Sequence, residues 1–218
     1  MIIDERMVAF IQSLDKGNTP FLTELEDEAI RTEVPIIRPA MQSLMRFLLQ
    51  MHRPMRILEV GTAIGFSAIL MAEYGPKDCR ITTIEKYEKR IPLAKANFEA
   101  SGYADRITLL EGDATDILKQ LEEPYDMIFM DAAKGQYIHF MPDVMRLLKP
   151  GGLLISDNVL QDGEIIESRF AVVRRNRTIH GRMREYLFAL THDERLETVV
   201  LPVGDGVTLS IKKEDIHG

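Results

Sequence analysis

The 218-residue sequence contains a single cysteine, Cys79. One thiol excludes an intramolecular disulfide and a thiolate zinc cluster, and it fits a reducing cytoplasm. No run of about 18 or more apolar residues occurs, so no membrane-spanning helix is expected. The first residues include Asp4 and Glu5 and lack a basic stretch leading into an apolar one, so no signal peptide is expected either. Two phosphate-binding signatures are also missing. There is no Gly-x-x-x-x-Gly-Lys-Ser/Thr. The turn Gly61-Thr62-Ala63-Ile64-Gly65 has Ala63 where a dinucleotide fingerprint carries its middle glycine, the one that lets backbone approach a pyrophosphate. Nicotinamide and flavin binding are therefore disfavoured.

What is present is an ordinary globular composition, 45% hydrophobic and 28% charged. The length suits one domain over residues 1–218, with a helical extension (1–53) before a core (54–218). The net charge of −7 argues against wholesale coating of nucleic acid, yet the charge is uneven. Between Gly163 and Leu190 six arginines (Arg169, Arg174, Arg175, Arg177, Arg182, Arg184) face three glutamates. That segment reads either as a patch for a polyanion or as a solvated helix face.

The chain is organised around Arg56–Ala72, an apolar strand, a glycine turn and a helix. Before it, helical spacing predicts helices over residues 4–14, 22–32 (Thr23 as N-cap) and 40–52, separated by Val34-Pro35-Ile36-Ile37-Arg38-Pro39, which its prolines hold extended. After it, strands are expected at 80–85, 106–110, 126–130 and 153–156, each followed by a helix or connection, with helices around 164–170 and 179–190. Strands at 196–201 and 207–212 close the chain around Gly204-Asp205-Gly206, read as a hairpin turn. Five βα units and a hairpin predict an α/β fold: a mostly parallel sheet, helices on both faces, and one reversed strand at the edge.

Ligands of such sheets bind beyond the carboxyl ends of the strands. Those ends carry Glu59 and Gly61, then Glu85, then Gly112-Asp113. An acid after the second strand suits ribose hydroxyls and one after the third suits an adenine edge, although each alone could cap a helix. Asp131 and Asp157-Asn158 close the fourth and fifth strands. Two carboxylates and an amide oxygen are hard donors suited to Mg²⁺, Mn²⁺ or Ca²⁺. Helix capping and Asx-turns are the structural alternative. Lys134, three residues past Asp131, is either a general base or a solvated lysine.

The segments EVGTAIGFSAILMA, ITTIEK, LLEGDA, FMDAAKGQY, LLISDNVL and LPVGDGVTLSIKK resemble class I S-adenosylmethionine-dependent O-methyltransferases of the catechol/caffeoyl-CoA type. More closely, they resemble bacterial tRNA 5-hydroxyuridine methyltransferases. The resemblance implies a Rossmann-like seven-stranded sheet with a C-terminal antiparallel hairpin and N-terminal helices. It places Glu59, Gly61 and Ser67 around the methionine part of S-adenosylmethionine, Glu85 on the ribose, Gly112, Asp113 and Ala114 at the adenine, and Ile37 as a backbone contact. It further implies Mg²⁺ held by Asp131, Asp157 and Asn158, with Asp131 also beside the cofactor and Lys134 as the base. The expected reaction methylates wobble 5-hydroxyuridine in tRNA, with Arg174, Arg175 and Arg177 on the RNA backbone. A catechol or hydroxycinnamoyl-type acceptor and a non-catalytic cofactor-binding module are the alternatives. The family often dimerises, for which the methionine-rich N-terminal helices are one candidate surface; core packing is their other use.

Overall fold

The computed structural model describes residues 4–168 and 170–214. Among them are seven strands: β1 (Arg56–Val60), β2 (Arg80–Glu85), β3 (Ile107–Glu111), β4 (Tyr125–Met130), β5 (Leu148–Ser156), β6 (Leu196–Leu201) and β7 (Val207–Lys212). They form one sheet in the order β3-β2-β1-β4-β5-β7-β6. β1 to β5 pair in parallel, while β7 runs antiparallel to both β5 and β6. The reversed strand is thus inserted between β5 and β6 and is not at the edge.

The helices are α1 (Glu5–Ser13), α2 (Pro20–Arg31), α3 (Pro39–His52), α4 (Phe66–Tyr74), α5 (Ile91–Ser101), α6 (Ala114–Gln120), α7 (Tyr137–Leu147) and α8 (Arg177–His192). α2 starts earlier than expected. Thr19 precedes it and Pro20 takes its first position, where a missing N–H costs nothing, so Thr23 is not its cap. The helix expected around 164–170 is instead a 3₁₀ segment, Gln161–Ile166, broken by left-handed Asp162 and Gly163. β5 begins at Leu148, taking Pro150-Gly151-Gly152 into the strand across a register shift. None of the described helices is long and apolar enough to cross a membrane.

Strand side chains alternate between two cores, as the pleat requires. Ile57, Met127, Phe129 and Ile155 join α2, α3, α4 and α5 on one face; Leu58, Val60, Ile128, Met130 and Leu154 join α6, α7 and α8 on the other. Burial on both faces explains why β4 reads as an unbroken apolar run. The N-terminal helices share the first core: Leu22, Leu25, Met41, Met45, Leu48 and Leu49 are all buried in it. Met7, Phe10 and Ile11 of α1 and Leu14 just after it, with Phe47 and Met51 of α3, stay exposed, so the methionines divide between core and surface. Cys79 is buried, and burial pushes its thiol up to about 11, consistent with a packing role.

The winding reverses between β1 and β4, since β2 and β3 extend the sheet one way and β4 and β5 the other. Just past the strand ends the parallel ladder continues for one more bond. Gly61 N–H donates to Ile84 O (3.1 Å), Gly112 N–H to Glu85 O (2.9 Å), Asp131 N–H to Val60 O (3.0 Å) and Asp157 N–H to Met130 O (3.0 Å). These bonds line up the first loop residues along one edge. The β1 and β4 loops touch there: a Cβ on Gly61 would lie 2.1 Å from the Asp131 carbonyl oxygen, and Gly61 has φ +108°. Gly61→Ala should therefore lower unfolding stability by at least about 2 kcal/mol in urea titration. Gly181→Ala, in α8 with no atom near its Cβ position, should raise it by about 0.5–1 kcal/mol. Equal effects at the two positions would contradict this account of the crevice.

Candidate functional site

A cavity of about 560 Å³ opens at the carboxyl ends of β1 to β5. Of the residues expected at a cofactor or metal, Ile37, Gly61, Ser67, Glu85, Gly112, Asp113, Ala114, Asp131, Lys134, Asp157 and Asn158 all line it. Glu59 does not. Its position inside β1 turns it into the protein, where it is fully buried. Ser67 Oγ donates to one carboxylate oxygen and Thr83 Oγ1, at the paired position of β2, to the other at 2.5 Å. Thr62 Oγ1 lies 2.6 Å from Thr83 Oγ1 and continues the network. Glu59 is therefore a support behind Ser67 and not a cavity contact, a correction to the expected placement.

Glu85 is held from three sides. Ala63 N–H donates to Oε2 at 2.8 Å, and Lys86 N–H and Tyr87 N–H donate to Oε1 at 3.0 and 2.8 Å. A carboxylate has about four acceptor sites, so Glu85 can take a further hydroxyl donor from the cavity while staying fixed. Asp113 is both a helix cap and a cavity wall residue. It caps α6 by accepting from Thr115 N–H at 2.9 Å. The Thr115 hydrogen bonds and the Lys86 ammonium, 3.3 Å away, hold its carboxyl below the ordinary range.

Asp131 and Asp157 stand at the ends of neighbouring strands. Asn158 ties them: its Nδ2 donates to Asp131 Oδ1 at 2.9 Å and its N–H to Asp157 Oδ1 at 2.7 Å. Asn158 adopts a left-handed conformation, φ +62°, which a short polar side chain tolerates. Burial, then the charge of Asp131, pushes Asp157 up to about 7; burial also raises Asp131. Two recessed carboxylates, both penalised by burial and one also by the charge of the other, form a fitting seat for a hard cation. Among the described residues no three His, Cys, Asp or Glu side chains gather as a metal group, so the candidate set is two carboxylates and an amide oxygen. Lys134 begins the 3₁₀ turn Lys134–Gln136 on the cavity wall, and its ammonium acts against the rise of Asp131 and Asp157.

Two wall residues were not anticipated. Gly204-Asp205-Gly206 does turn the chain between β6 and β7, but Asp205 points inward, is 6% exposed and lines the cavity with Arg38. Burial and the neighbouring Asp162 carboxyl push Asp205 up to about 6. An acid between two glycines was the available signal, and turn chemistry explained it equally well.

The arginines divide by role. Arg177 donates to Val172 O and Phe170 O, Arg184 to Ile165 O at 2.9 Å, and Arg182 to Gly135 O at 3.2 Å, within the turn that carries Lys134. Arg182 thus ties α8 to the cavity wall, while Arg177 and Arg184 hold the carbonyls of Val172, Phe170 and Ile165, so the Arg177 guanidinium expected on an RNA backbone is engaged within the protein. Arg174 and Arg175 are exposed, and their side chains make no hydrogen bond or ion pair among the described residues; Arg169 lies outside them.

Burial, helped by the charges of Asp131 and Glu85, pushes Glu59 up to about 7, because Ser67 and Thr83 only partly offset desolvation. The folded state therefore holds this proton more tightly than the unfolded chain. The resulting stability is present below the ordinary carboxyl range and is lost as pH rises through about 7. Glu59→Gln should remove up to about 3 kcal/mol of the decline in unfolding free energy between pH 5 and pH 8. Parallel pH profiles for the two proteins would contradict the burial argument.

A family model described as O-methyltransferase matches residues 12–213. A catechol O-methyltransferase of Niastella koreensis is 32% identical over 168 residues, 75% of this chain and 70% of that protein. A caffeoyl-CoA O-methyltransferase of Citrus natsudaidai is 34% identical over 160 residues, 70% of this chain and 69% of that protein. Among solved structures, the O-methyltransferase from Bacillus cereus in complex with S-adenosylhomocysteine superposes with a TM-score of 0.84 at 26% identity, covering 95% of this chain and 97% of that one. The S-adenosylhomocysteine-bound Podospora anserina methyltransferase PaMTH1 gives 0.87 at 28% identity, covering 98% of each. With the cavity geometry, these matches show that the chain belongs to the O-methyltransferase family and is an S-adenosylmethionine-dependent enzyme of the catechol/caffeoyl-CoA type.

Proposed function

We propose that the chain methylates one oxygen of a small acceptor carrying two vicinal oxygens, of the catechol or hydroxycinnamoyl kind, with a hard divalent cation held by Asp131, Asp157 and Asn158. The observation that carries this reading is the recessed pair Asp131 and Asp157, tied together by Asn158 on the wall of the cavity. A bound cation would supply positive charge that favours the deprotonated acceptor oxygen. The chain's own residues do the rest. Glu85 and Asp113 hold the nucleoside end of the donor, and Gly61 and Ser67 flank its methionine end. Positioning the acceptor oxygen in line with the methyl group supplies much of the rate. The carbon–sulfur bond breaks as the oxygen–carbon bond forms, and the hydroxyl proton passes to Lys134 Nζ, which acts here as the neutral amine, having first given up the proton of its resting ammonium. Arg182 fixes the turn from which Lys134 acts.

Methyl transfer to a catechol should stop in EDTA and return with Mg²⁺. Asp157→Asn should lower transfer by about 100-fold while S-adenosylhomocysteine affinity changes by less than about threefold. Transfer that survives EDTA at full rate would overturn the cation reading.

A second acceptor is favoured by one observation. Arg174 and Arg175 project from the turn before α8 without partners among the described residues, and exposed unpaired arginines suit a phosphate backbone. On this reading the vicinal oxygens are the 5-hydroxyl and C4 carbonyl of 5-hydroxyuridine in tRNA. Labelled donor offered with hypomodified tRNA and with a catechol panel separates the two. If tRNA is the acceptor, Arg174→Ala/Arg175→Ala should weaken its binding and reduce the salt slope by about 2. Unchanged tRNA affinity in that variant would contradict it.

A further inference from the structure

Three segments distant in sequence meet at the cavity wall. The first is the extended stretch 34–38, of which Pro35, Ile36, Ile37 and Arg38 line the wall. The second is the loop 157–163, which carries Asp157 and Asn158. The third is the β6–β7 turn with Gly204 and Asp205. The last two are joined by backbone: Val159 N–H donates to Gly206 O at 2.9 Å and Leu160 N–H to Asp205 O at 2.8 Å. The first is joined to them through Arg38. Its Nη1 lies 2.6 Å from Asp205 Oδ1 and 3.2 Å from Asp162 Oδ1, and its Nη2 lies 3.4 Å from Asp162 Oδ2.

The burial of these groups is uneven. The Arg38 and Asp162 side chains are 52% and 67% exposed, whereas Asp205 is 8% exposed. An ordinary surface pair contributes little to stability, because solvent screens it. Here one guanidinium spans an exposed acid and a buried acid that repel each other without it. The loop on the far side also needs holding. Asn158, Gln161 and Asp162 all have positive φ, at 62°, 50° and 51°, a costly conformation for residues other than glycine. Neighbours must over-determine such a loop for it to persist, and Arg38 is the side chain that reaches it from the donor wall.

We propose that Arg38 is a positioning residue that couples the donor side of the cavity to the acceptor side. Donor binding against 34–38 sets the guanidinium, and the guanidinium orders loop 157–163 and turn 203–206 through Asp162 and Asp205. The donor site then prepares the acceptor side before the acceptor arrives. This role rests on the reading of Asp157 and Asn158 as acceptor-side groups.

The test is hydrogen exchange on the full chain with S-adenosylhomocysteine alone, alongside calorimetric binding. In the wild type the ligand should protect all three segments. In Arg38→Met it should still protect 34–38, bind about tenfold more weakly, and leave 157–163 and 203–206 exchanging as in the free protein. Asp162→Asn, outside the cavity lining, should weaken the coupling in the same direction, and the double variant should be no worse than Arg38→Met. Arg38→Lys should recover part of the protection, which a variant that merely misfolds would not. Ligand-induced protection of 157–163 in Arg38→Met equal to the wild type, or additive effects of the two substitutions, would overturn the proposal. The probe contains no cation or acceptor, so retained activity in EDTA would sink the cation reading without touching this result.

Discussion

The structure depends on how the parallel ladder ends. Each of β2, β1 and β4 offers a last carbonyl to the first loop residue of its neighbour, and β2 does so on both sides. Backbone bonds of this kind cannot be lost singly without leaving buried donors unpaired. They set Gly61, Gly112, Asp131 and Asp157 along one edge independently of what their side chains do. The reversal of winding between β1 and β4 opens the crevice at that edge, and Gly61 lets the two loops meet. The chemistry is hung on a rigid frame, consistent with sites that need fixed geometry.

The same edge gathers many acids, and the protein treats them differently. Glu85 is satisfied by three backbone N–H groups and Asp113 by its cap and Lys86. Glu59 is dried out and steadied by two hydroxyls, which makes it a prop. Asp131 and Asp157 receive little beyond Asn158 and Lys134, and burial dominates both. Groups left short of compensation in an otherwise satisfied site are where ligands are expected to supply it. That contrast separates the side of the cavity proposed for the nucleoside from the side proposed for a cation and an acceptor.

Much of this was legible in the sequence because parallel strands buried on both faces announce themselves as apolar runs. The residue that ends each run is then at the carboxyl edge. Gly61, Glu85, Gly112, Asp131 and Asp157 follow from that logic alone. The side chains within strands were less legible. Whether Glu59 faces the cavity or the interior depends on its place in the pleat and on Thr83 beside it, a cross-strand neighbour that local sequence does not reveal. Asp205 was hidden by a turn that is also a wall. Arg177, Arg182 and Arg184 were hidden by charge itself, since an arginine bonded to loop carbonyls and one facing solvent look alike in sequence. The inserted position of β7 is likewise a matter of long-range pairing, which a hairpin motif leaves open.

The most direct measurement is a crystal structure grown with S-adenosylhomocysteine and Mn²⁺, using the anomalous signal of the metal. The account predicts the nucleoside between Glu85 and Asp113, the homocysteine end beside Gly61 and Ser67, and a manganese peak against Asp131, Asp157 and Asn158. A manganese peak elsewhere, with those three side chains bare beside a bound nucleoside, would contradict it.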